Sequence, residues 1–494
     1  MYRDNFASDE GESRRQLGFE DDDGRNYSLD AYQELRRSSP RFHSEWCSMI
    51  YPRLRLAQML LRDDGVIFVS IDDGEQAKLR IICDEIFGEN NFVANIIWQS
   101  RTSISNDYEV SLNHNHTFIY AKRREELIFG GEPLDESEYI NPDNDPRGPW
   151  KLVPLEANHT GGETVYPITN PKTGIEYYPP NGRVWVYNKR TMQRLIDDGR
   201  IKFGLKDDSS PKRKLYLQER QARGDKKTPS SLLLDAGTTQ TGTNEIMSLF
   251  DGKKVFNYPK PVEFLRRLIT YGAPNPDSII LDFFAGSSTT AHAVMSLNAQ
   301  DSANRKFIMI QFPEPCTPKS EATKAGYATI AQIGRERIKR AGQILLCDNQ
   351  QLTTNNYTID IGFRAFRADS SNFRDVFRFP DNLTQSDLAD MADNIKHDRS
   401  DLDLLFMCVT DYGLPLSLPY MAESFGEFTI HIYGDNDIVA CFGENISEDA
   451  VRHIALMKTK RAIFRDSCFD SVKSRINLEQ VFRAYSDASN ITIL

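Results

Sequence analysis

One stretch of the sequence, Leu281-Asp-Phe-Phe-Ala-Gly-Ser-Ser-Thr-Thr-Ala-His-Ala293, combines an apolar strand, an acidic residue, a glycine turn and a helix start. This order places backbone N–H groups and the Asp282 carboxylate around one point, and Gly286 lets the backbone approach a ligand closely. The Asp282 carboxylate would favour a sulfonium or an amino group. An ordinary strand-to-helix connection explains the same residues equally well, and only one glycine of a GxGxxG dinucleotide loop is present.

Polar residues also lie at the end of the strand predicted after the 281–293 block, and before the helix predicted upstream of that block. The strand Phe307–Phe312 contains Gln311 near its end, and Glu314 follows it. In nucleotide-binding sheets a polar or acidic group at this place commonly holds ribose hydroxyls, although a core strand with a polar end is the alternative for either residue. Upstream, Lys260 and Pro261 could shape a cavity from the side, but a proline-rich helix entry without function accounts for them equally well.

A basic run lies further upstream, between residues 212 and 227. Its cations, with Tyr216 among them, suit contact with phosphates and readout of base edges. A solvated charged face is the more usual explanation of such a run. The seven cations are Lys212, Arg213, Lys214, Arg220, Arg223, Lys226 and Lys227.

The first elements alternate between helix and strand, which indicates a doubly wound α/β fold. Pro52 occupies a plausible first helical position, followed by an apolar stripe. The apolar run 66–71 has the length of a buried strand, and the next helix is expected to stop at Gly88. A further strand is predicted at 117–121, after the polar stretch 113–116, whose side chains we interpret as satisfied loop groups.

From residue 122 to about 245, proline, glycine, asparagine and charged residues are frequent and periodicity is weak. The stretch is too long for one loop of a compact domain, so it is predicted to be an inserted domain. Strong α/β signals return afterwards, and a third region begins at about 355. In the α/β part after residue 245 and in the third region, helices are predicted at 262–269, 288–297, 319–346 and 448–458. Strands are predicted at 278–284, 307–312, 428–433 and 437–442.

Composition excludes several classes of protein. Hydrophobic residues make up 39% and charged residues 27%, which is ordinary for a globular protein, and the sequence contains no apolar run of membrane-spanning length. The polar start is unlike a signal peptide, which favours a cytoplasmic location. The seven cysteines are scattered, so neither a disulfide scaffold nor a metal site is expected. The net charge of −11 argues against a protein that coats nucleic acid, but leaves a local basic surface open.

Several stretches, taken in order, resemble the Mod subunits of type III restriction–modification systems, which are β-subgroup DNA adenine methyltransferases. The resemblance covers most of the chain. It rests on Tyr51-Pro-Arg-Leu-Arg-Leu-Ala57, Asp64-Gly-Val-Ile-Phe-Val-Ser-Ile-Asp-Asp73, Cys83-Asp-Glu-Ile-Phe-Gly-Glu-Asn90, Pro229-Ser-Ser-Leu-Leu-Leu-Asp-Ala-Gly-Thr238, Tyr258-Pro-Lys-Pro261, the 281–293 block, Arg305-Lys-Phe-Ile-Met-Ile-Gln311, Ala325-Gly-Tyr-Ala-Thr-Ile330 and Ile333-Gly-Arg-Glu-Arg-Ile338.

The resemblance implies a fold and a domain order. It implies an α/β, Rossmann-like methyltransferase sheet with an inserted target-recognition domain and a C-terminal α+β domain. A polar lead-in at 1–45 would be followed by the catalytic-side half at 46–121 and the target-recognition insertion at 122–245. The S-adenosylmethionine-binding half would occupy 246–350. The C-terminal domain at 351–494 would bind a partner.

The resemblance also implies ligands, partners and site residues. The cofactor would be S-adenosylmethionine, and the partners would be double-stranded DNA, a second copy of the chain and a restriction (Res) subunit. Lys212, Arg213, Lys214, Arg220 and Arg223 are the candidate DNA-binding residues. The candidate cofactor contacts are Asp282, Phe283, Phe284, Ala285, Gly286, Ser287, Ser288, Thr289, Gln311, Lys260 and Pro261.

One departure from the family concerns catalysis. The family's Asp-Pro-Pro-Tyr motif lies shortly before the segment that Tyr2-Arg-Asp-Asn-Phe6 resembles, so the chain is expected to be truncated at its N-terminus. Tyr178-Pro-Pro-Asn181 offers neither the acid nor the order. The motif accepts hydrogen bonds from the adenine amine once the base is flipped out of the duplex. Methyl transfer by this chain is therefore expected to be severely impaired, and the catalytic residues stay unassigned.

Two alternatives from other classes of protein remain open. The chain could be a non-catalytic DNA-recognition or assembly subunit, in which 122–245 reads sequence and 355–494 binds a partner. A nicotinamide-dependent enzyme on a similar sheet is disfavoured because the second and third loop glycines are missing.

Overall fold

A computed structural model describes residues 40–104, 109–158, 164–204, 206, 208–350, 360–374 and 395–494. The chain divides into two compact units, Met1–Ile361 and Gly362–Leu494. The predicted lead-in, 1–45, lies almost wholly outside the described residues. Within the described part, no helix combines the length and the apolar character needed to cross a membrane.

The first unit contains nine helices and thirteen strands within the described residues. Its helices are α1 (Pro40–Leu60), α2 (Gln76–Phe87), α3 (Lys189–Asp197), α4 (Leu217–Ala222), α5 (Thr239–Leu249), α6 (Val262–Gly272), α7 (Thr289–Asp301), α8 (Glu321–Lys324) and α9 (Ile330–Gln350). Its strands are β1 (Val66–Ile71), β2 (Phe92–Gln99), β3 (His114–Ala121), β4 (Trp150–Pro154), β5 (Glu156–Ala157), β6 (Ile168–Thr169), β7 (Glu176–Tyr177), β8 (Val184–Trp185), β9 (Ile201–Lys202), β10 (Lys212–Tyr216), β11 (Leu232–Leu233), β12 (Ile279–Asp282) and β13 (Lys306–Met309).

Four of these strands form one sheet in the order β1–β3–β2–β11. β3 runs antiparallel to β1 and to β2, whereas β11 is parallel to β2. Helices cover both faces, because α1 and α2 bury their apolar stripes against one side and α6 packs on the other. This layered arrangement confirms the α/β prediction.

The first helix begins earlier than the sequence predicts. α1 starts at Pro40, so the predicted start at Pro52 is wrong, and that proline lies inside the helix. The upstream turns are helical because Trp46 and Ile50 extend the buried stripe of Leu54 at four-residue spacing. Their burial against α2 offsets the N–H that an internal proline removes.

β12 and β13 form a second, parallel pair, joined by α7. Buried residues of α7 pack against α6 on one side and α9 on the other. The single helix predicted at 319–346 is wrong, because the chain forms the short α8 and then α9. Gly326, with φ +91°, follows α8 in the left-handed region, which ends that helix.

The middle of the first unit forms a segment whose two ends meet. The N–H of Glu132 donates to the carbonyl of Lys227, and the N–H of Lys227 donates back, both at 2.9 Å. We call residues 133–226 the inserted segment. Its apolar cluster, which includes Leu155, Trp185 and Met192, contains no residue from outside the segment. After it, β11 returns the chain to the main sheet beside β2.

The second unit is built on one five-stranded sheet in the order β14–β15–β16–β17–β18. The first three strands are antiparallel, and the last three are parallel and joined by helices. One face packs against the first helix of the unit and the other against the next two. The strands are β14 (Tyr420–Phe425), β15 (Phe428–Tyr433), β16 (Ile438–Cys441), β17 (Arg461–Phe464) and β18 (Asn490–Ile493), and the helices are α10 (Asp401–Asp411), α11 (Glu448–Leu456) and α12 (Val472–Tyr485).

Candidate functional site

The connection from β12 to α7, residues 282–290, is named here the Gly286 loop. Asp282 holds it at both ends, because one carboxylate oxygen accepts the N–H of Phe284 at 3.1 Å and the other accepts the hydroxyl of Thr290 at 2.6 Å. Gly286 has φ +52° and Ser288 has φ +59°. Two left-handed residues within three positions make a tight turn that leads directly into the first turn of α7.

Gln311, after β13, supports the same loop. Its side-chain oxygen accepts the N–H of Gly286 at 2.7 Å, and the carbonyl of Ile310 accepts the N–H of Ala285 at 3.1 Å. The structure therefore brings Gln311 to the loop, where it holds the backbone. The N–H of Ile330, at the start of α9, donates to the carbonyl of Glu314 at 3.0 Å.

A buried arginine lies behind the Gly286 loop. Arg337 of α9 is 0% exposed and donates to the hydroxyls of Ser287 at 2.9 Å and Thr289 at 2.6 Å. Its other terminal nitrogen lies 3.7 Å from the Glu245 carboxylate. Burial lowers the pKa of Arg337 to about 10, and Glu245 opposes that shift. The arginine therefore stays charged at neutral pH and holds two predicted cofactor residues by their side chains.

α9 also touches the loop through a residue without a side chain. A Cβ at Gly334 would lie 2.6 Å from the Ser288 hydroxyl oxygen, which is closer than real Cβ atoms come. Glycine thus lets the helix lie close to the loop. Ser287, Ser288 and Thr289 are buried, and Arg337 holds the first and the last of them from the α9 side.

The segment before α6 closes the other side of the loop. Pro261 is buried and caps α6, and Lys260 lies near enough to Asp282 for the two charges to interact. Burial lowers the pKa of Lys260, and the Asp282 carboxylate opposes that shift. A Cβ on Gly286 would meet the Phe256 ring at 3.3 Å. The structure thus places Lys260 and Pro261 beside the Gly286 loop.

The aromatic residues of the loop join it to the main sheet. The rings of Phe283 and Phe284 lie 5.2 Å apart and pack against the apolar cluster between the main sheet and helices α1 and α2. A loop with a carboxylate, aromatic surface and glycine backbone at the carboxyl end of a parallel strand has the features that bind a nucleoside-type cofactor. The residues present fit such a group, because Gly286 leaves the turn itself without a side chain while Asp282, Gln311 and Arg337 hold the chain around it.

The basic run differs from the Gly286 loop, because several of its charges are paired within the protein. Lys214, on β10, is 5% exposed, and its ammonium lies 2.7 Å from Asp143 and 2.8 Å from Asp145. Tyr216 donates its hydroxyl to Asp145 at 2.7 Å. Arg147 also binds Asp145, and it is the largest cause that lowers the pKa of that carboxyl well below its usual range. This buried network does not present Lys214 to a phosphate.

Other cations of the run are also paired. Arg220 donates to Asp225 at 3.0 Å and to the Tyr139 hydroxyl, and Arg223 lies 3.1 Å from the same Asp225 carboxylate. Arg213 donates to the hydroxyl of Tyr187. The five candidate DNA-binding residues therefore share one neighbourhood, but three of them are ion-paired within the protein.

The polar stretch 113–116 lies at the start of β3. His116 contacts Asp73 at 2.8 Å, and the Asn95 side chain lies 3.0 Å from the other ring nitrogen of His116. His114 lies 4.0 Å from Asp73. The 2.8 Å separation is that of a hydrogen-bonded pair, because ligands around one tetrahedral zinc, each about 2.0–2.2 Å from it, lie farther apart.

Three residues of this site escape prediction from the sequence. Arg337, Glu245 and Gly334 lie in helices far along the chain from the Gly286 loop. Gly334 and Arg337 fall in the stretch 333–338 that resembles the Mod subunits, but the resemblance gives neither residue a role. Only an arginine on the apolar face of the helix 330–350, one position before Ile338, could have drawn attention to a buried charge.

A family model described as DNA methylase matches residues 24–315, more than half of the chain. The EcoPI Mod subunit of Escherichia phage P1, a type III restriction–modification enzyme, is 30% identical over 492 residues, which cover 91% of this chain and 73% of the relative. The chain belongs to the DNA methylases, among the type III Mod subunits.

Further relatives agree on the family. The StyLTI Mod subunit of Salmonella typhimurium strain LT2 is 39% identical over 335 residues, which cover 66% of this chain and 48% of the relative. This chain thus spans about half the length of that subunit. A solved structure, the M1.HpyAVI–SAM complex, matches 60% of this chain and 83% of its own at 13% identity, with a TM-score of 0.24 that supports no conclusion about fold.

Proposed function

We propose that this Mod-family chain serves a site-specific DNA methyltransferase, which transfers a methyl group from S-adenosylmethionine to adenine N6 in a restriction–modification system. The observation that carries the proposal is the Gly286 loop, held in place by Asp282, Gln311 and Arg337 in a chain of the DNA methylase family. S-adenosylmethionine supplies the methyl group and a positive sulfonium. The Asp282 carboxylate and the loop backbone would orient it.

The remaining predicted cofactor residues take different parts in this proposal. Phe283, Phe284, Ala285 and Gly286 would line the cofactor with aromatic surface and backbone. Lys260 and Pro261 would close its side. Ser287, Ser288, Thr289 and Gln311 would act indirectly, because their side chains hold the loop in shape.

Titration of the full chain with S-adenosylmethionine in a calorimeter tests the site. Gly286→Val adds a β-branched side chain where φ is +52° and the Phe256 ring is 3.3 Å away, so we expect at least a ~100-fold loss of affinity. Gly182→Val is the matched control, since Gly182 has φ +81° with open space around it. Equal binding by wild type and Gly286→Val would contradict the proposed site.

The acceptor side of the reaction gives a separate prediction. The 494 residues contain no Asp-Pro-Pro-Tyr, the motif that would accept hydrogen bonds from the adenine amine. We therefore expect cofactor binding without efficient methyl transfer. Incubation with methyl-labelled S-adenosylmethionine and duplex DNA measures this, and robust incorporation of label would contradict it.

The second candidate function is a non-catalytic DNA-recognition or assembly subunit. DNA binding by the full chain without any S-adenosylmethionine binding would support this alternative over the enzyme.

The domain order and partners complete the proposal. We propose that 46–121 and 246–350 form the two halves of the methyltransferase domain, that 122–245 recognises double-stranded DNA, and that 351–494 binds a partner. The closed ends of the inserted segment support a separable recognition domain. We further propose a homodimer that associates with a restriction subunit in the cytoplasm, because the related proteins are Mod subunits of such enzymes.

A further inference from the structure

The inserted segment contains one helix whose outer face is strongly basic. α3 buries Met192 and partly buries Leu195 and Ile196, so the opposite side faces solvent. That side carries the exposed residues Lys189, Arg190, Gln193, Arg194 and Asp197. We name the first four the α3 basic face; Asp197, at its C-terminal end, accepts a hydrogen bond from Gln193.

The first turn of α3 is basic. Lys189 and Arg190 occupy that turn, which has no acidic residue, whereas Arg194 and Asp197 stand in the last turn. Backbone N–H groups make a helix N-terminus positive, so the two cations of the first turn are unfavourable for the helix. An anion beside the first turn would compensate both the side chains and the dipole.

These cations also lack partners. Among the residues that the structure describes, no carboxylate forms an ion pair with Lys189, Arg190 or Arg194, and no ring stacks on them. The basic run differs, because Lys214, Arg220 and Arg223 are all ion-paired. The α3 basic face therefore keeps its positive charge available on a protein with a net charge of −11.

We propose that the α3 basic face contacts the phosphate backbone of duplex DNA, with Lys189, Arg190 and Arg194 each neutralising a phosphate. This inference rests on the proposed function of the inserted segment. A nine-residue helix is ~13 Å long, comparable with the ~12 Å width of the major groove that separates two phosphate rows. Arg190 and Arg194 stand one turn apart on the same side, so both can follow one strand.

Fluorescence anisotropy of the full chain with a labelled duplex of mixed sequence, measured across a range of salt concentrations, tests the proposal. The triple variant Lys189→Gln, Arg190→Gln, Arg194→Gln should bind at least ~10-fold more weakly at 0.1 M salt. Its plot of log affinity against log salt should be shallower by about 2–3, because each phosphate contact contributes ~0.9 to the slope. The matched control is Lys212→Gln, Arg213→Gln, Arg223→Gln, which removes the same charge from the basic run.

Thermal unfolding and S-adenosylmethionine binding separate the possible failures. Removing cations from the first turn of α3 should leave the melting temperature unchanged or raise it, whereas a purely structural role would lower it. An α3 triple variant that binds DNA like wild type, or better than the control triple, would overturn the proposal while the proposed function stands. A wild-type chain that binds S-adenosylmethionine but no DNA would overturn both.

Discussion

The Gly286 loop and the basic run at 212–227 differ in what their polar groups face. In the loop, two later side chains hold the chain from behind, since Gln311 accepts the N–H of Gly286 and Arg337 donates to the hydroxyls of Ser287 and Thr289. In the basic run, several cations pair with carboxylates of the same segment. The first arrangement fixes the shape of a glycine turn, and the second uses the charges themselves for stability.

A charged residue in the sequence need not be exposed on the surface of the folded protein. Lys214 and Arg223 belong to one run, yet the first is 5% exposed and the second is largely solvent-exposed. A glycine turn is different, because Gly286 adopts a positive φ that few other residues take, so the glycine itself marks the turn in the sequence. Motifs of backbone conformation therefore transfer from sequence to site more reliably than runs of charge.

The largest effect should come from the buried arginine behind the loop. Arg337→Met leaves the Ser287 and Thr289 hydroxyls and the Glu245 carboxylate without their cation, so we expect a loss of about 3–4 kcal/mol in unfolding free energy. Urea denaturation measures it. Arg335→Met, on the exposed side of the same helix, is the control and should change little. Equal stability of the two variants would show that the loop does not depend on Arg337.

The basic run provides the next effect. Lys214→Met removes the buried ammonium that Asp143 and Asp145 share, although Arg147 still binds Asp145. We expect about 3 kcal/mol of destabilisation, with DNA affinity unchanged at a temperature where the variant is folded. Arg223→Gln, at the exposed end of the run, should not measurably change stability. Urea denaturation followed by anisotropy measures both. Loss of DNA affinity in folded Lys214→Met would show that Lys214 serves DNA binding, and would contradict its purely stabilising role.

The smallest effect concerns acid. Burial lowers the pKa of His292, on α7, to about 3, with Arg337 and Arg266 adding to the shift, whereas the ordinary value is 6.5. The unfolded chain then takes up a proton that the folded chain refuses, so stability is complete above pH 6.5 and falls as the pH drops toward 3. At pH 5 the loss is about 2 kcal/mol.

Melting curves between pH 7 and pH 5 test this prediction, with His292→Asn expected to flatten the decline. The network around Asp145 should respond differently, because its lowered pKa keeps that carboxylate ionised until the pH is below its ordinary 3.8. An unchanged slope in His292→Asn would assign the acid sensitivity to another group.

Most of the main elements could be predicted from apolar periodicity and glycine positions. β1 and β15 have the predicted bounds, because each is an apolar run with clear turn residues beside it. The start of α1 could not be predicted from Pro52, since only its contact with α2 shows which turns are buried. The two helices at 321–350 are likewise divided by Gly326, whose left-handed conformation the sequence does not reveal.

Only the part of the candidate site that belongs to local sequence patterns could be predicted. Asp282, Gly286, Gln311 and Lys260 belong to local patterns and do come together. Arg337 and Glu245 do not, because a buried ion pair depends on contacts between helices that are distant in sequence. The hydrogen bond from the Gly286 N–H to the Gln311 side chain likewise depends on the tertiary structure and could not be predicted from the sequence.

The paired hydrogen bonds between Glu132 and Lys227 have a consequence for how such proteins diversify. Since the chain leaves and re-enters the methyltransferase unit at neighbouring backbone positions, the unit needs to span the same short gap whatever lies between them. Segments of other lengths and sequences could therefore be exchanged at this junction. Under the proposed recognition role of the inserted segment, we expect that grafting the 133–226 stretch of one relative onto another alters sequence specificity.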